Sequence, residues 1–399
     1  MRYIFCSFMF DDPEENIKGS KNPNAASGHK FQAEMLRGLI QNGCHVDVIN
    51  VPRVRRYPDY HQIIFRKKDF CLDGIKRGTS VGFINLMGLN YLTQINRVEK
   101  LLDEYLKNAT EEKTVLLVYN TYPAPTYAMR RIKKKYPNVI LCDAIGDIYG
   151  QYGLSVPKTL HGRLINLIHE KMDQMASECD AFALATAEMS NALGIAEKPF
   201  VVVEGMYSVG SDARQECITK ESKTIFYAGS LLSEYGIGHL LRAFSLIQDP
   251  SYRLIIAGGG DNQAEVERAA AKDSRIRFLG YITPKEVAEN QQAAAVLVNP
   301  RISEHEYVKY SFASKNLECL ASGVPYVAHS LPCDPPEYGN YVCYPKDETD
   351  QALADKLMEI CSLPEEERRS IGEKARQFIA TEKNPQRQMM KLDTMLQSI

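Results

Sequence analysis

The sequence predicts an α/β protein built from two doubly wound, parallel-sheet domains. Three observations predict it. Short runs rich in Val, Ile and Leu alternate with longer stretches of helical period, the signature of βαβ units. The alternation restarts after a polar stretch, Gly210-Ser-Asp-Ala-Arg-Gln-Glu, which reads as a linker. The 399 residues also exceed what one hydrophobic core usually supports.

Tyr3–Ser7 reads as the first strand. A loop with Gly28 leads into a helix whose apolar face is Phe31, Met35, Leu36, Leu39 and Ile40, ended by Gly43. Val46–Ile49 follows as a strand, and further strands are expected at Val81–Ile84, Val115–Val118, Val139–Cys142, Ala181–Leu184 and Phe200–Val203. Helices between them carry Ile95, Val98, Leu102 and Leu106, then Leu164, Ile168, Met172 and Met175. After the linker, strands are expected at Thr224–Ala228, Arg253–Ala257, Ile276–Leu279, Ala295–Val298 and Tyr326–Ala328. The boundaries are therefore 1–208 and 209–384. The last segment, 385–399, places Met389, Met390, Leu392, Met395 and Leu396 roughly on one face, and either closes the second domain or crosses back to the first. No short-period repeat or low-complexity tract is present.

Composition narrows the function classes. The hydrophobic fraction of 44% and charged fraction of 25% are ordinary globular values. A formal net charge of -2 gives no whole-protein attraction to nucleic acid, which is not an expected partner. The ten cysteines are scattered without a CxxC pair or zinc spacing, so they read as reduced thiols of a reducing compartment. Met1–Phe10 is apolar but runs at once into Asp11, Asp12, Glu14 and Glu15, which fits a buried strand better than a signal peptide. No apolar run is long enough to span a bilayer, and a cytoplasmic location is expected.

Three stretches carry candidate chemistry, all in the second half. Phe226-Tyr-Ala-Gly-Ser-Leu-Leu-Ser-Glu-Tyr-Gly-Ile-Gly runs from a strand through a glycine loop into a helix. Such loops let backbone approach a phosphate, or the glycines merely make the turn. Ile255-Ile-Ala-Gly-Gly-Gly-Asp-Asn does not fit the dinucleotide fingerprint and reads as a turn plus helix N-cap. The third stretch, Asn299 to Pro325, ends a strand, crosses a polar loop holding Arg301, Glu304, His305, Glu306 and Lys309, and enters a helix near Ser314 that stops at Gly323. Lys315 and Glu318 lie one turn apart, off the core face. A surface ion pair at that spacing is worth only ~0.2–0.5 kcal/mol, and a first-turn lysine opposes the helix dipole. A functional pair fits better: Lys315 and the free helix-start N–H groups for a phosphate, Glu318 for both hydroxyls of a ribose.

This stretch, with the strand–loop–helix at Ala228–Phe244, resembles the family 4 glycosyltransferases, retaining enzymes of the GT-B fold. The resemblance implies two Rossmann-like domains facing each other across a cleft, an acceptor-side first domain and a donor-binding second one. In the family's Glu-x7-Glu element the second glutamate matches Glu318, while Tyr310 stands where the first is expected. Glu304 and Glu306 are the nearby acids. Ser230 and Tyr235 occupy places where many members carry an arginine and a lysine, so Lys315, then Arg301 and Lys309, are expected to balance the donor diphosphate. The Phe278-Leu-Gly-Tyr-Ile turn resembles the nucleobase segment and implicates Tyr281 and Ile282. In the first domain Asp147 stands where relatives place an acceptor-side His or Asp, and Gly28 where their backbone faces donor phosphates or acceptor; either residue also reads as simple turn chemistry.

The resemblance implies transfer of a glycosyl unit from a UDP- or GDP-sugar, with retention, to a glycan or lipid-linked acceptor, in polysaccharide or glycolipid assembly. It implies no bound metal and no cofactor other than the donor. Two basic clusters, Arg53, Arg55, Arg56, Arg66, Lys67, Lys68 and Arg130, Arg131, Lys133, Lys134, Lys135, would allow peripheral contact with an anionic membrane, at the inner face of the plasma membrane, or form solvated faces. A nucleotide-sugar epimerase and a catalytically silent sugar-nucleotide-binding subunit are the rival readings.

Overall fold

A computed structural model describes residues 1–10, 26–107, 113–148, 170–210 and 223–399. The chain divides into two compact units, Met1–Met206 with Pro385–Ile399, and Tyr207–Asn384.

The first unit is an eight-stranded sheet in the order β10-β9-β8-β7-β1-β2-β5-β4. Its strands are β1 (Arg2–Ser7), β2 (His45–Asn50), β4 (Lys68–Leu72), β5 (Ile75–Ser80), β7 (Thr114–Tyr119), β8 (Ile140–Ile145), β9 (Ala181–Leu184) and β10 (Phe200–Val202). A separate antiparallel pair joins β3 (Ile64–Phe65) to β6 (Phe83–Ile84). The central strands are buried on both faces and accordingly read as unbroken apolar runs, Val115–Val118 being 0% exposed. The main helices are α1 (Ala26–Gln41), α2 (Leu89–Lys107) and α3 (Pro123–Lys135).

The final helix, Pro385–Gln397, packs on α1 and buries Met389, Leu392 and Leu396 in the first unit's core. Gly38 permits this contact: any Cβ there would overlap the Pro385 carbonyl. Tyr3 donates to Asp393 at 2.6 Å, and Asn42 donates to the Gln386 carbonyl at 2.9 Å.

The structure departs from the sequence reading in two places here. Gly28 lies inside the first turn of α1 rather than in a loop before it, with its carbonyl accepting from Gln32 Nε2 at 2.9 Å. The expected strand Val81–Ile84 is replaced by an antiparallel hairpin, β4–β5, and the short β6. Asp73 and Gly74 form the hairpin's turn, both with positive φ (52° and 74°), as a two-residue type I′ turn demands. Leu164, Ile168 and most of the expected linker lie outside the described residues.

The second unit is a five-stranded, all-parallel sheet in the order β13-β12-β11-β14-β15. The strands are β11 (Thr224–Ala228), β12 (Arg253–Ala257), β13 (Ile276–Phe278), β14 (Val296–Asn299) and β15 (Tyr326–Ala328). Around them lie α4 (Ile237–Leu246), α5 (Gln263–Lys272), α6 (Pro284–Ala293), α7 (Lys315–Ala321), α8 (Asp350–Ser362) and α9 (Glu365–Glu382). From β11 the chain winds outward through β12 and β13, then returns to the other side of β11 to add β14 and β15. The strand order therefore reverses between β11 and β14, which in an open α/β sheet is where a ligand crevice forms.

Candidate functional site

The loops after β11 and β14 flank that reversal, and main-chain hydrogen bonds fix them. Gly229 donates to the Ala257 carbonyl and Leu231 to the Gly259 carbonyl, both at 2.9 Å; Gly258 donates to the Gly280 carbonyl at 2.8 Å. These bonds bring three strand ends together so closely that Gly258 (φ 131°) has no room for a Cβ, which would overlap the Gly229 carbonyl. The expected cap after this turn is only half present. Asn262 precedes α5 but its side chain makes no capping hydrogen bond.

Lys315, the first residue of α7, reaches this junction. Its ammonium donates to the Ala228 carbonyl at the end of β11 and lies 5.3 Å from the Tyr227 ring centre. The Tyr227 hydroxyl donates in turn to the Ser230 carbonyl at 2.7 Å. A side chain at position 229 would collide with the Lys315 ammonium, so Gly229 keeps that space open. Burial pushes the Lys315 pKa below the usual lysine range, with Cys319 and Glu318 pulling the other way. An ammonium has three N–H donors. Among the described residues only the Ala228 carbonyl accepts from it, which leaves two for a ligand.

The base of α7 is held by a polar network. Asn299 Nδ2 donates to Asn316 Oδ1 at 3.1 Å, and the Tyr326 hydroxyl donates to the same oxygen at 2.6 Å. This ties α7 to β14 and β15 and fixes the direction in which Lys315 leaves the helix. Glu318, half-buried, follows one turn later. The expectation that free helix-start N–H groups would bind phosphate needs correcting. Asn316 donates to the Ala313 carbonyl at 2.8 Å and Leu317 to the Ser314 carbonyl at 3.2 Å, so those donors are already used.

Arg301 is the second cation of this loop. It is 5% exposed, its guanidinium lies 4.9 Å from the Tyr307 ring centre and 5.8 Å from that of Tyr235, and Nη1 donates to the Ser311 carbonyl at 3.2 Å. Its Nε and Nη2 meet no acceptor among the described residues. A buried guanidinium with two idle donors is costly unless an anion or carbonyl completes it. The sequence identified Arg301 only by position; its burial and its stacking between two tyrosines come from the fold.

The remaining candidates are distributed as follows. Ser230 is exposed at the tip of the β11 loop, and Tyr235 packs half-buried on the cluster of Tyr307, Val308, Leu331 and Cys333. Tyr281 is 84% exposed, while Ile282 packs half-buried against a core that includes Phe226 and Leu317. Glu304, Lys309 and Ser314 are exposed, and Tyr310 closes a 3-10 turn, Glu306–Tyr310. Asp147 and Gly28 belong to the first unit. Asn120 Nδ2 donates to Asp147 at 3.5 Å, and Gly28 lies over the Phe8 and Tyr119 rings. The neighbouring Asp143 is fully buried, accepts from Thr121 N and Oγ1 at 3.2 and 2.7 Å, and burial pushes its pKa up to about 7. It anchors a turn.

Four of the five bases on α3 are already neutralised, as Arg130–Glu178, Arg131–Glu99, Lys133–Asp180 and Lys135–Asp103 pairs. That cluster is therefore a compensated face. Among the described residues no helix is long and apolar enough to cross a membrane.

Residues 210–378 match the family described as Glycosyl transferases group 1. No curated protein matches the chain by sequence. Among solved structures, the chain is similar to a sucrose-phosphate synthase from Thermosynechococcus elongatus (16% identity, TM-score 0.64, 100% of this chain and 99% of that one). It is also similar to an S. aureus TarM mutant in complex with fondaparinux, alpha-GlcNAc-glycerol and UDP (10%, TM-score 0.62, 99% and 100%). A third, from E. coli, is described as trehalose-6-phosphate bound with UDP-2-fluoro glucose (10%, TM-score 0.64, 100% and 99%). At these identities the likeness is one of fold: two Rossmann-like units, the fold of the GT-B glycosyltransferases.

Proposed function

We propose that this chain is a retaining glycosyltransferase of family 4 type, which binds a nucleoside-diphosphate sugar through its second unit and transfers the sugar to a glycan or lipid-linked acceptor. The observation that carries the proposal is the buried ammonium of Lys315, with two unused donors, at the strand-order reversal of a Glycosyl transferases group 1 domain. The structural neighbours whose descriptions name UDP or a UDP-sugar favour UDP over GDP as the base-bearing carrier.

In this reading the donor diphosphate meets Lys315 and Arg301, and the ribose hydroxyls meet Glu318. Tyr281 and Ile282 flank the nucleobase, while the loop of Glu304, Lys309, Tyr310 and Ser314, with Gly229, Ser230 and Tyr235 opposite, borders the sugar and phosphates. An acceptor oxygen bonds to the anomeric carbon as the bond from that carbon to the diphosphate breaks. The nucleoside diphosphate leaves, and the acceptor's hydroxyl proton passes to the departing phosphate oxygen. Charge therefore grows on the diphosphate in the transition state, and two preorganised cations in a low-dielectric pocket stabilise it more than they stabilise the bound donor. Asp147 and Gly28 are proposed to serve the acceptor side in the first unit.

A second reading is favoured by one feature. Ser230 and Tyr235 stand in place of two expected cations, which fits a subunit that binds a sugar nucleotide without turning it over. Thermal denaturation against a panel of nucleotides and nucleotide sugars tests donor binding. Stabilisation by one nucleoside diphosphate and its sugar is expected, and no shift with any of them refutes the donor site. Release of free nucleoside diphosphate from the stabilising sugar donor then separates the enzyme from the silent subunit.

A further inference from the structure

The strand-order argument applies to the first unit as well. From β1 the chain passes to β2 on one side and to β7 on the other, so the reversal lies between β1 and β7. Beside the segments that follow β2 and β7 opens a cavity of about 700 Å³, within the range of small-molecule sites. Its walls come from the segment after β2 (Val54), the start of α3 (Tyr122, Pro123), α2 (Ile95) and the helical segment carrying Met172 and Met175. They are mostly apolar.

Three cations sit on this lining: Arg53, Arg56 and Lys171, all exposed. Unlike four of the five bases of α3, none of them has a carboxylate within ion-pair distance among the described residues. Aromatic contacts hold two of them at the cavity, Arg53 at 5.4 Å from the Phe8 ring centre and Arg56 at 5.3 Å from that of Tyr91. Deeper in, Gln94 is 2% exposed and its Oε1 meets no donor among the described residues. Outside, Tyr91 (40% exposed) and Leu92 (59%) continue the apolar surface along α2. Apolar walls, cations without an ion-pair partner among the described residues and a buried acceptor with no donor among them together ask for one kind of ligand: an amphiphile with an anionic head and a hydroxyl or protonated oxygen near it.

We propose that this cavity binds an amphiphilic phosphate, its apolar chain against Ile95, Tyr122, Met172 and Met175 and its phosphate at Arg53, Arg56 and Lys171. The ligand's role as acceptor, or as the lipid part of one, rests on the glycosyltransferase reading above; its binding does not.

The test is calorimetric titration of the full chain with farnesyl phosphate, farnesol and inorganic phosphate, each below its aggregation limit. Farnesyl phosphate is expected to bind at least about tenfold more tightly than either fragment, the gain of one charge-assisted phosphate contact on an apolar anchor. Arg56→Gln should weaken farnesyl phosphate about tenfold and leave farnesol unchanged. Ile95→Glu, a half-buried position, should abolish both while the melting temperature reports an intact fold. Equal affinity for farnesol, or for inorganic phosphate alone, overturns the proposal, as does absence of farnesyl phosphate binding. Stabilisation by nucleotide sugar in the same preparation reads the donor site separately. Donor binding without farnesyl phosphate binding sinks this inference alone, and the converse sinks the donor reading alone.

Discussion

Replacing Lys315 by Met tests the donor site most directly, because activity is expected to fall while stability barely changes. Met keeps the unbranched stem and its packing near Tyr227, and removes only the ammonium. The fold loses one hydrogen bond from a charged donor to the Ala228 carbonyl, about 1.5–3 kcal/mol. It also sheds a cation that burial holds below its ordinary pKa, which acts against the loss. The sign follows from linkage: the unfolded chain holds the lysine proton more tightly, so the folded form gains stability as pH rises toward 10.5, and at neutral pH the charged lysine is a burden. The two terms leave a net change within about 1 kcal/mol, a melting shift of no more than about 2–4 °C for a unit of this size. Turnover should behave differently. Removing one preorganised charge partner from a developing anion costs about 100- to 1,000-fold in rate, or ~2.7–4 kcal/mol. The assay pairs calorimetric melting with nucleoside diphosphate release from the stabilising sugar donor. Turnover within about threefold of the parent would refute the role of Lys315. So would a melting temperature that fell by more than about 4 °C with activity falling in step, since Lys315 would then be a structural strut.

Four further outcomes are expected. Glu318→Gln should weaken nucleoside diphosphate binding by about tenfold, the loss of charge-assisted contacts to ribose hydroxyls; calorimetric titration checks it. Asp143 ionises near pH 7 in the fold against 3.8 unfolded, so its contribution is complete below about pH 4 and lost as pH rises through about 7; the melting difference between parent and Asp143→Asn should shrink over that range. His329 tilts the second unit the other way. Burial, then the facing His239 (Nε2 to Nε2 2.9 Å), pushes its pKa down to about 4, so stability present above pH 6.5 should be lost as pH falls through 4, and His329→Gln should flatten that limb. Gly258→Ala should cost about 3 kcal/mol or more by chemical denaturation, since its Cβ has nowhere to go.

Much of this architecture was legible because buried parallel strands cannot hide. Val115–Val118 and Arg253–Ala257 stand out as apolar runs, and the restart near residue 224 separates the two sheets. The hairpin β4–β5 was missed because its strands mix charged, polar and apolar residues with no unbroken apolar run, so hydrophobicity gave no signal; the Asp73-Gly74 pair was the available clue. At the site, spacing singled out Lys315 and Glu318 but could not show that the N–H groups of Asn316 and Leu317 are consumed locally, since a seven-residue helix starting in a 3-10 turn looks like any other in sequence. The burial of Arg301 and Gln94, and the pairing of His239 with His329 and Asp350, join residues 10 to 111 positions apart and are properties of the fold alone.

The final helix has a consequence for how the chain is made. The residues that cover α1 and complete the first core are 385–399, and they leave the ribosome only after the 178 residues of 207–384. At about 5–20 residues per second, the apolar face of α1 waits roughly 10–35 s for its cover, long enough for the second unit to fold first. The unit that begins synthesis thus finishes last, and during that interval it is a ready client for chaperones. A circular permutant that places Pro385–Ile399 ahead of Met1 would remove the wait.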